Sequence, residues 1–341
     1  VKSKKVKVED AVGTILCHDI TEIVPGEKKG RAFKKGHKVT AEDIDKLRRL
    51  GKNHLQVIDM DKDDVHEDEA GIFLGKILAG RNVEASEPSE SRVNLFSTVN
   101  GLLKVNVDAL IALNTLDDVV ASTLPNYTIV GKGEMIAGTK VTPLTVKGNI
   151  LKEADKIRRE AGEIVSVLPF KPLKAGLVIT GTEVYKGLIK DAFRPVLTEK
   201  IERLGGTVTF VSFVPDDEEV IKSKILEAAA ECDVVLVSGG MAVDADDVTP
   251  KAIASVSEVI KYGSPVLPGA MFLMAYMKDD TPVIGIPACG MYAKVTILDL
   301  VYPRVAAGEK IRKEDIIRLA NGGLCRRCEP CHYPNCSFGR G

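Results

Sequence analysis

The chain lacks an excess of either charge: 47 Lys and Arg against 48 Asp and Glu leave a formal net charge of −1 over 341 residues. No global field is available to draw in nucleic acid or an anionic membrane, so any anion site must be local. No apolar run approaches the roughly 20 residues that a membrane-spanning helix needs. The basic opening Val1-Lys2-Ser3-Lys4-Lys5 is not followed by the apolar stretch of a secretory signal. Together these absences predict a soluble, cytoplasmic protein with neither a nucleic-acid nor a membrane partner. Cysteines are scarce until the end: of seven, four fall between Cys325 and Cys336. That spacing suits metal ligation rather than a disulfide framework.

What is present reads as several folded pieces, since one core seldom serves so long a chain. Residues 1–68 read as a small α/β module. Thr40 to Asp43 opens a helix with Ile44, Leu47 and Leu50 on one face, Gly51 ends it, and His54 to Ile58 follows as a strand. The acidic segments Asp59 to Asp64 and Glu67 to Glu69 read as its solvated exit. Residues 69–170 give a helical segment from Ile72 to Ala79, then β-leaning pieces such as Tyr127 to Val130 and Lys140 to Leu144, hence a strand-rich middle domain.

From residue 171 to 310 the rhythm changes. Apolar strands at Gly176 to Ile179, Val208 to Val214, Val234 to Val237 and Val283 to Ile286 alternate with amphipathic helices. This predicts an α/β fold with a parallel sheet covered on both faces. The first helix has Pro195 near its start, with Leu197, Ile201 and Leu204 inward; the second is expected to be capped by Asp216 and to bury Ile221 and Ile225.

Ligands of such sheets bind beyond the carboxyl ends of the strands. There lie Thr180-Gly181-Thr182-Glu183, Asp191, and Ser238-Gly239-Gly240 followed by Asp244, Asp246 and Asp247. Paired glycines after a strand let backbone N–H groups close on an anion, and a helix N-terminus behind them favours negative charge. A phosphate is the expected guest. Carboxylates beside it call for a bridging cation, and Mg²⁺ with Glu183, Asp191 and Asp247 is the natural choice. Asp246 is expected to cap the following helix instead.

These residues resemble the molybdopterin-binding domain superfamily, especially the molybdopterin molybdenumtransferase group of molybdenum cofactor biosynthesis. The resemblance rests on Thr180 to Glu183, Gly187-x-Ile189-x-Asp191, Pro215-Asp216-Asp217, Ser238-Gly239-Gly240 through Asp247, Pro268-Gly269 and Gly285-Ile286-Pro287. The N-terminal Ala11-Val12-Gly13, His18-Asp19-Ile20 and Val24-Pro25-Gly26 extend it. It implies a three-layer domain that binds molybdopterin or its nucleotide, with Thr180, Gly181, Thr182, Glu183, Ser238, Gly239, Gly240, Asp244, Pro268 and Gly269 around the ligand. Asp191 and Asp247 would be catalytic, in molybdenum insertion or nucleotidyl transfer, and the chain a homodimer. The sequence departs from the group at Phe193, where Asn is usual, at Ala242 and Asp244, at Ala270-Met271, where Lys-Pro is usual, and at Ala288-Cys289-Gly290, where Gly-Asn-Pro is usual. Losing the Lys removes a phosphate-neutralising charge. A non-catalytic carrier or sensor is therefore a second expectation. A third comes from Thr182-Glu183 with Asp246-Asp247-Val248-Thr249, which resembles the competence-damage-inducible family and implies a Mg²⁺-dependent nucleotide pyrophosphatase.

Residues 311–341 read as a hinge, Asn321-Gly322-Gly323, and a metal-binding tail. Cys325-x2-Cys328-x2-Cys331-x4-Cys336 points to a [4Fe–4S] cluster in preference to Zn²⁺, whose common sites separate two knuckles by a longer spacer. A redox partner or a molybdoenzyme would then meet the tail. Cys17 and Cys232 read as packed residues, whereas Cys289 sits where a ligand loop should lie.

Overall fold

The computed structural model describes residues 3–24, 28–58, 60–89, 91–242 and 248–340. In its C-terminal part the apolar segments form one six-stranded sheet. Its strands are β1 (Lys174–Thr180), β2 (Thr207–Val214), β3 (Val234–Ser238), β4 (Glu258–Tyr262), β5 (Leu273–Tyr276) and β6 (Pro282–Ile286). Their spatial order is β2-β1-β3-β6-β5-β4. The first four run parallel, and β5 is antiparallel to both of its neighbours.

Helices cover both faces, which is why the inner strands are apolar at every position rather than at alternate ones. These are α1 (Phe193–Glu202), α2 (Glu218–Glu231), α3 (Thr249–Val256), α4 (Leu298–Ala306) and α5 (Lys313–Arg318). On one face Leu177, Leu236 and Ile284 pack with Leu197 and Ile201 of α1 and Val301 of α4. On the other, Val178, Val235 and Val283 pack with Ile221 and Ile225 of α2 and Ile253 of α3. The expected three-layer arrangement is thus present.

Three details differ from the sequence reading. The cap of α2 is Asp217, whose Oδ1 accepts from Val220 N–H at 3.0 Å; Asp216 is engaged elsewhere, as described below. The edge pair β4–β5 has no counterpart in the expected strands. The third detail is the tail, which is not hinged free. Leu267 N–H donates to Gly323 O and Cys325 N–H to Leu267 O, both at 2.8 Å. A side chain at Gly323 would put Cβ 2.3 Å from Leu319 O, so this glycine serves close approach rather than flexibility. Further on, Phe338 is buried in the same core as α1 and α4.

The chain divides into two compact units: residues 1–98, 105–124 and 133–166 form one, and residues 99–104, 125–132 and 167–341 the other. Within the first, Val8, Leu16, Leu47, Leu55 and Val57 enclose a small core of their own. The helix Asp43–Arg49 begins where Asp43 Oδ2 accepts from Thr40 N–H at 2.8 Å. The rest of this unit includes an antiparallel sheet of Val83–Ala85, Val93–Ser97, Val119–Thr123 and Met135–Val141, with helices Glu67–Leu78 and Gly148–Ala161. Among the described residues no helix is long and apolar enough to cross a membrane.

Candidate functional site

The carboxyl ends of three adjacent strands stand level. Ile179 of β1 is opposite Ser238 of β3, and Ser238 is opposite Ile286 of β6. The chain therefore leaves the sheet at Gly181, Gly239 and Pro287 along one edge. Thr180 is buried, and its Oγ1 lies 3.1 Å from Oγ1 of Thr249, which is fully buried at the start of α3. That contact draws the first turn of α3 to the end of β1.

Gly239 has φ +93°, and a Cβ there would lie 2.1 Å from Thr180 O and 2.6 Å from Thr180 Oγ1. Both the backbone conformation and the close approach require glycine. Gly240, at φ +50°, continues the turn. Ser238 is 0% exposed, and its Oγ has no hydrogen-bond partner among the described residues. Native folds seldom leave a buried hydroxyl unpaired, because it has given up water for nothing. The turn after β3 is held from the side by Tyr262 of β4, whose hydroxyl donates to Met241 O at 2.8 Å.

The expected carboxylates are differently employed. Asp216 Oδ2 accepts from both N–H and Oγ1 of Thr182, at 2.9 and 3.0 Å, and so ties the loop after β1 to the loop after β2. Asp191 uses both oxygens to cap α1: Oδ1 accepts from Phe193 N–H at 2.8 Å and Oδ2 from Arg194 N–H at 3.0 Å. Glu183 is exposed on the short helix Thr182–Tyr185. Asp244, Asp246 and Asp247 lie outside the described residues. Pro268 and Gly269 stand with another group, Pro268 O accepting from Ile297 N–H at 3.2 Å and Gly269 packing on Ile297. The structure thus joins Thr180, Ser238 and Gly239, and adds Thr249, which the sequence alone did not single out.

The cysteines are also redistributed. Cys325, Cys331 and Cys336 pack against the apolar core, Cys328 and His332 are exposed, and Cys325 Sγ accepts from Arg327 N–H at 3.4 Å. Among the described residues no three His, Cys, Asp or Glu side chains are grouped so as to hold a metal ion, neither in the tail nor around Asp191. The expected four-thiolate centre of Cys325, Cys328, Cys331 and Cys336 is therefore not assembled. Instead Cys289, Cys325, Cys328 and Cys331 line one cavity of about 260 Å³, together with Lys294 and Arg327. Burial pushes the Cys289 thiol up, while its own backbone N–H and the Arg327 guanidinium act in the opposite sense.

Residues 176–307 match the family described as "Probable molybdopterin binding domain". A second family, described as a domain of unknown function, matches residues 5–59, ahead of the molybdopterin-binding-type domain. A molybdopterin molybdenumtransferase from Haemophilus influenzae is 26% identical over 254 residues, 68% of this chain and 60% of that protein. A CinA-like protein from Anaeromyxobacter is 33% identical over 84 residues, 25% of this chain and 21% of that protein. The chain thus spans less than two thirds of the length of either relative. The molybdopterin biosynthesis MoeA protein from Pyrococcus horikosii is 17% identical, with 90% of this chain and 76% of that one covered and a TM-score of 0.34.

Proposed function

We propose that the molybdopterin-binding-type domain holds a phosphorylated pterin, molybdopterin or its nucleotide, at the carboxyl ends of β1, β3 and β6, and that the chain acts in molybdenum cofactor biosynthesis. The observation that carries this reading is the buried, unpartnered Ser238 hydroxyl beside the Gly239–Gly240 turn. A phosphate oxygen would accept a hydrogen bond from the Ser238 hydroxyl, and the glycine N–H groups behind it would supply further donors. Thr180, Gly181, Thr182, Pro268 and Gly269 would complete the walls.

The donors named at this edge, the Thr180 and Ser238 hydroxyls and the glycine N–H groups, are neutral, in keeping with Ala270-Met271 where a Lys would stand in the transferase group. That favours binding over molybdenum insertion or nucleotidyl transfer. The described carboxylates do not form a ready cage for Mg²⁺, since Asp191 already caps α1. Mg²⁺ would come with the ligand's phosphate and keep most of its waters, with the exposed Glu183 carboxylate as a protein ligand. Asp244 and Asp247 belong to the same reading. Self-association, a cytoplasmic location, a metal centre of iron–sulfur or zinc type in the tail, and a redox partner or molybdoenzyme that meets it, extend the proposal. The nucleotide-pyrophosphatase reading is not favoured, because the CinA-like match covers only a quarter of the chain.

The test is to purify the full chain anaerobically from cells that make molybdenum cofactor, release small molecules, and identify pterins by mass spectrometry. The wild-type chain is expected to retain pterin and Ser238→Ala to bind it roughly tenfold or more weakly, the value of one hydrogen bond to a charged group. Equal retention by both would remove Ser238 from the site, and no pterin in folded wild-type protein would overturn the reading.

A further inference from the structure

The tail presents three cysteines with two residues between each pair, and the cavity they line includes a fourth from a distant part of the chain. Cys289 follows β6 in the turn Ala288–Met291, where Ala293 N–H donates to Cys289 O at 2.9 Å and Gly290 N–H to Pro287 O at 2.8 Å. Across the cavity, Cys325 is fixed through its N–H to Leu267 O, one residue before Pro268. Both walls are held by backbone hydrogen bonds. Cys336, the fourth cysteine of the tail, is absent from the lining.

The shape of the space decides what it suits. One zinc ion would need four sulfurs about 2.3 Å from a single point, which leaves no cavity among them. Here the four cysteines belong to the lining of one cavity of about 260 Å³, and no three His, Cys, Asp or Glu among the described residues are grouped to hold a single metal ion. A four-iron cluster distributes its thiolates over four irons, so its ligands stand around a volume. Three clustered cysteines completed by one remote in sequence is also a known way of holding iron–sulfur clusters. Four thiolates around such a core leave net negative charge; Lys294 and Arg327 on the wall oppose it, against one carboxylate, Glu329.

We infer that Cys289, Cys325, Cys328 and Cys331 hold a [4Fe–4S] cluster, with Cys336 outside the ligand set. This rests on reading the tail as a metal-binding element and is independent of pterin binding at Ser238. The cluster would share its wall with Pro268 and the turn after β6, and so fasten the tail to the loops at that end of the sheet.

The experiment is anaerobic reconstitution of the full chain with ferrous iron and sulfide. Iron and acid-labile sulfide are then counted, and the reduced protein is examined by electron paramagnetic resonance. The wild type and Cys336→Ser are expected to bind about four irons and four sulfides each with the same spectrum. Cys289→Ser is expected to lose most of its iron or to give an altered spectrum while still melting cooperatively. Loss of iron from Cys336→Ser with full loading of Cys289→Ser would overturn the assignment, as would uptake of one zinc in place of a cluster or no uptake of metal. A measurement on the unmutated chain guards against misfolded variants: iron loading should protect Cys289 from alkylation by iodoacetamide, read by peptide mass spectrometry. Equal labelling with and without iron would also sink the assignment. Pterin retention, followed in the same samples, reports separately on Ser238.

Discussion

Ser238 is a residue whose contribution to stability and to binding should have opposite signs. An unpaired buried hydroxyl costs on the order of 1–3 kcal/mol, so Ser238→Ala should leave the unliganded chain as stable as the wild type or up to about 1 kcal/mol more stable in urea unfolding, while pterin binding falls. A destabilised alanine variant would show that Oγ is satisfied in the folded chain and would weaken the case for the site. Gly239→Ala should behave differently. At φ +93° and with a Cβ only 2.1 Å from Thr180 O, the substitution forces the turn off β1, at a cost of about 2 kcal/mol or more together with lost binding. The glycine pair was legible in the sequence because two small residues after an apolar strand have few other uses. Thr249 was not, because its partner Thr180 is 69 residues away and only the packing of α3 brings them together.

Among the elements, the two helices that flank the loops begin on aspartates with different duties. Asp217→Ala removes the cap of α2 and should cost about 1 kcal/mol without touching the ligand. Asp191→Ala should cost a similar amount, since its carboxylate closes the first turn of α1. Unfolding curves and pterin binding measured together separate capping from metal binding at Asp191: a loss of Mg²⁺-dependent affinity beyond the stability change would assign it to the ligand. The sequence could not rank Asp216 against Asp217, because adjacent carboxylates satisfy the same pattern, and Thr182 settles the matter through space. The parallel strands were legible because both of their faces are covered. β5, a buried run of four residues, and β4, only half-buried, lack a periodicity that distinguishes them from loops.

At the scale of the whole molecule, a buried ionic cluster joins segments far apart in sequence. Arg304, 7% exposed, donates from Nε to Glu309 Oε2 at 2.7 Å and from Nη2 to Asp315 Oδ1 at 2.9 Å, and its guanidinium lies 4.2 Å from the Tyr127 ring centre. Lys104 donates to Glu309 and, at 3.0 Å, to the Tyr127 hydroxyl. Removing Arg304 would take the guanidinium from two part-buried carboxylates, Glu309 keeping Lys104 and Asp315 the Arg312 N–H, so Arg304→Ala should destabilise by about 3 kcal/mol. For Asp315, burial alone would raise the carboxyl, but the Arg304 hydrogen bond and the Arg312 N–H bring it net below its ordinary value. A carboxyl depressed in the folded state stabilises above its unfolded value, and that contribution is lost as pH falls through the folded one. For Lys104, burial alone would lower the ammonium, but Glu309 and Tyr127 raise it net, so its contribution is lost as pH rises through the folded value. The cluster's contribution should therefore be full from about pH 4 to about pH 10 and decline on either side, which unfolding midpoints across that range would check.

Lys104 and Tyr127 belong to the C-terminal unit although chain on either side of them belongs to the other. A fragment begun at residue 167 would retain Arg304 and Glu309 but discard the ammonium and the ring that contact them. Such a fragment should express as a weakly stable protein, and one begun at residue 176, where the family match starts, should do worse because it also cuts into β1. The stretch that sequence similarity outlines is smaller than the piece that folds, and the ligand edge of the sheet should be assayed only in a chain that still contains residues 99–132.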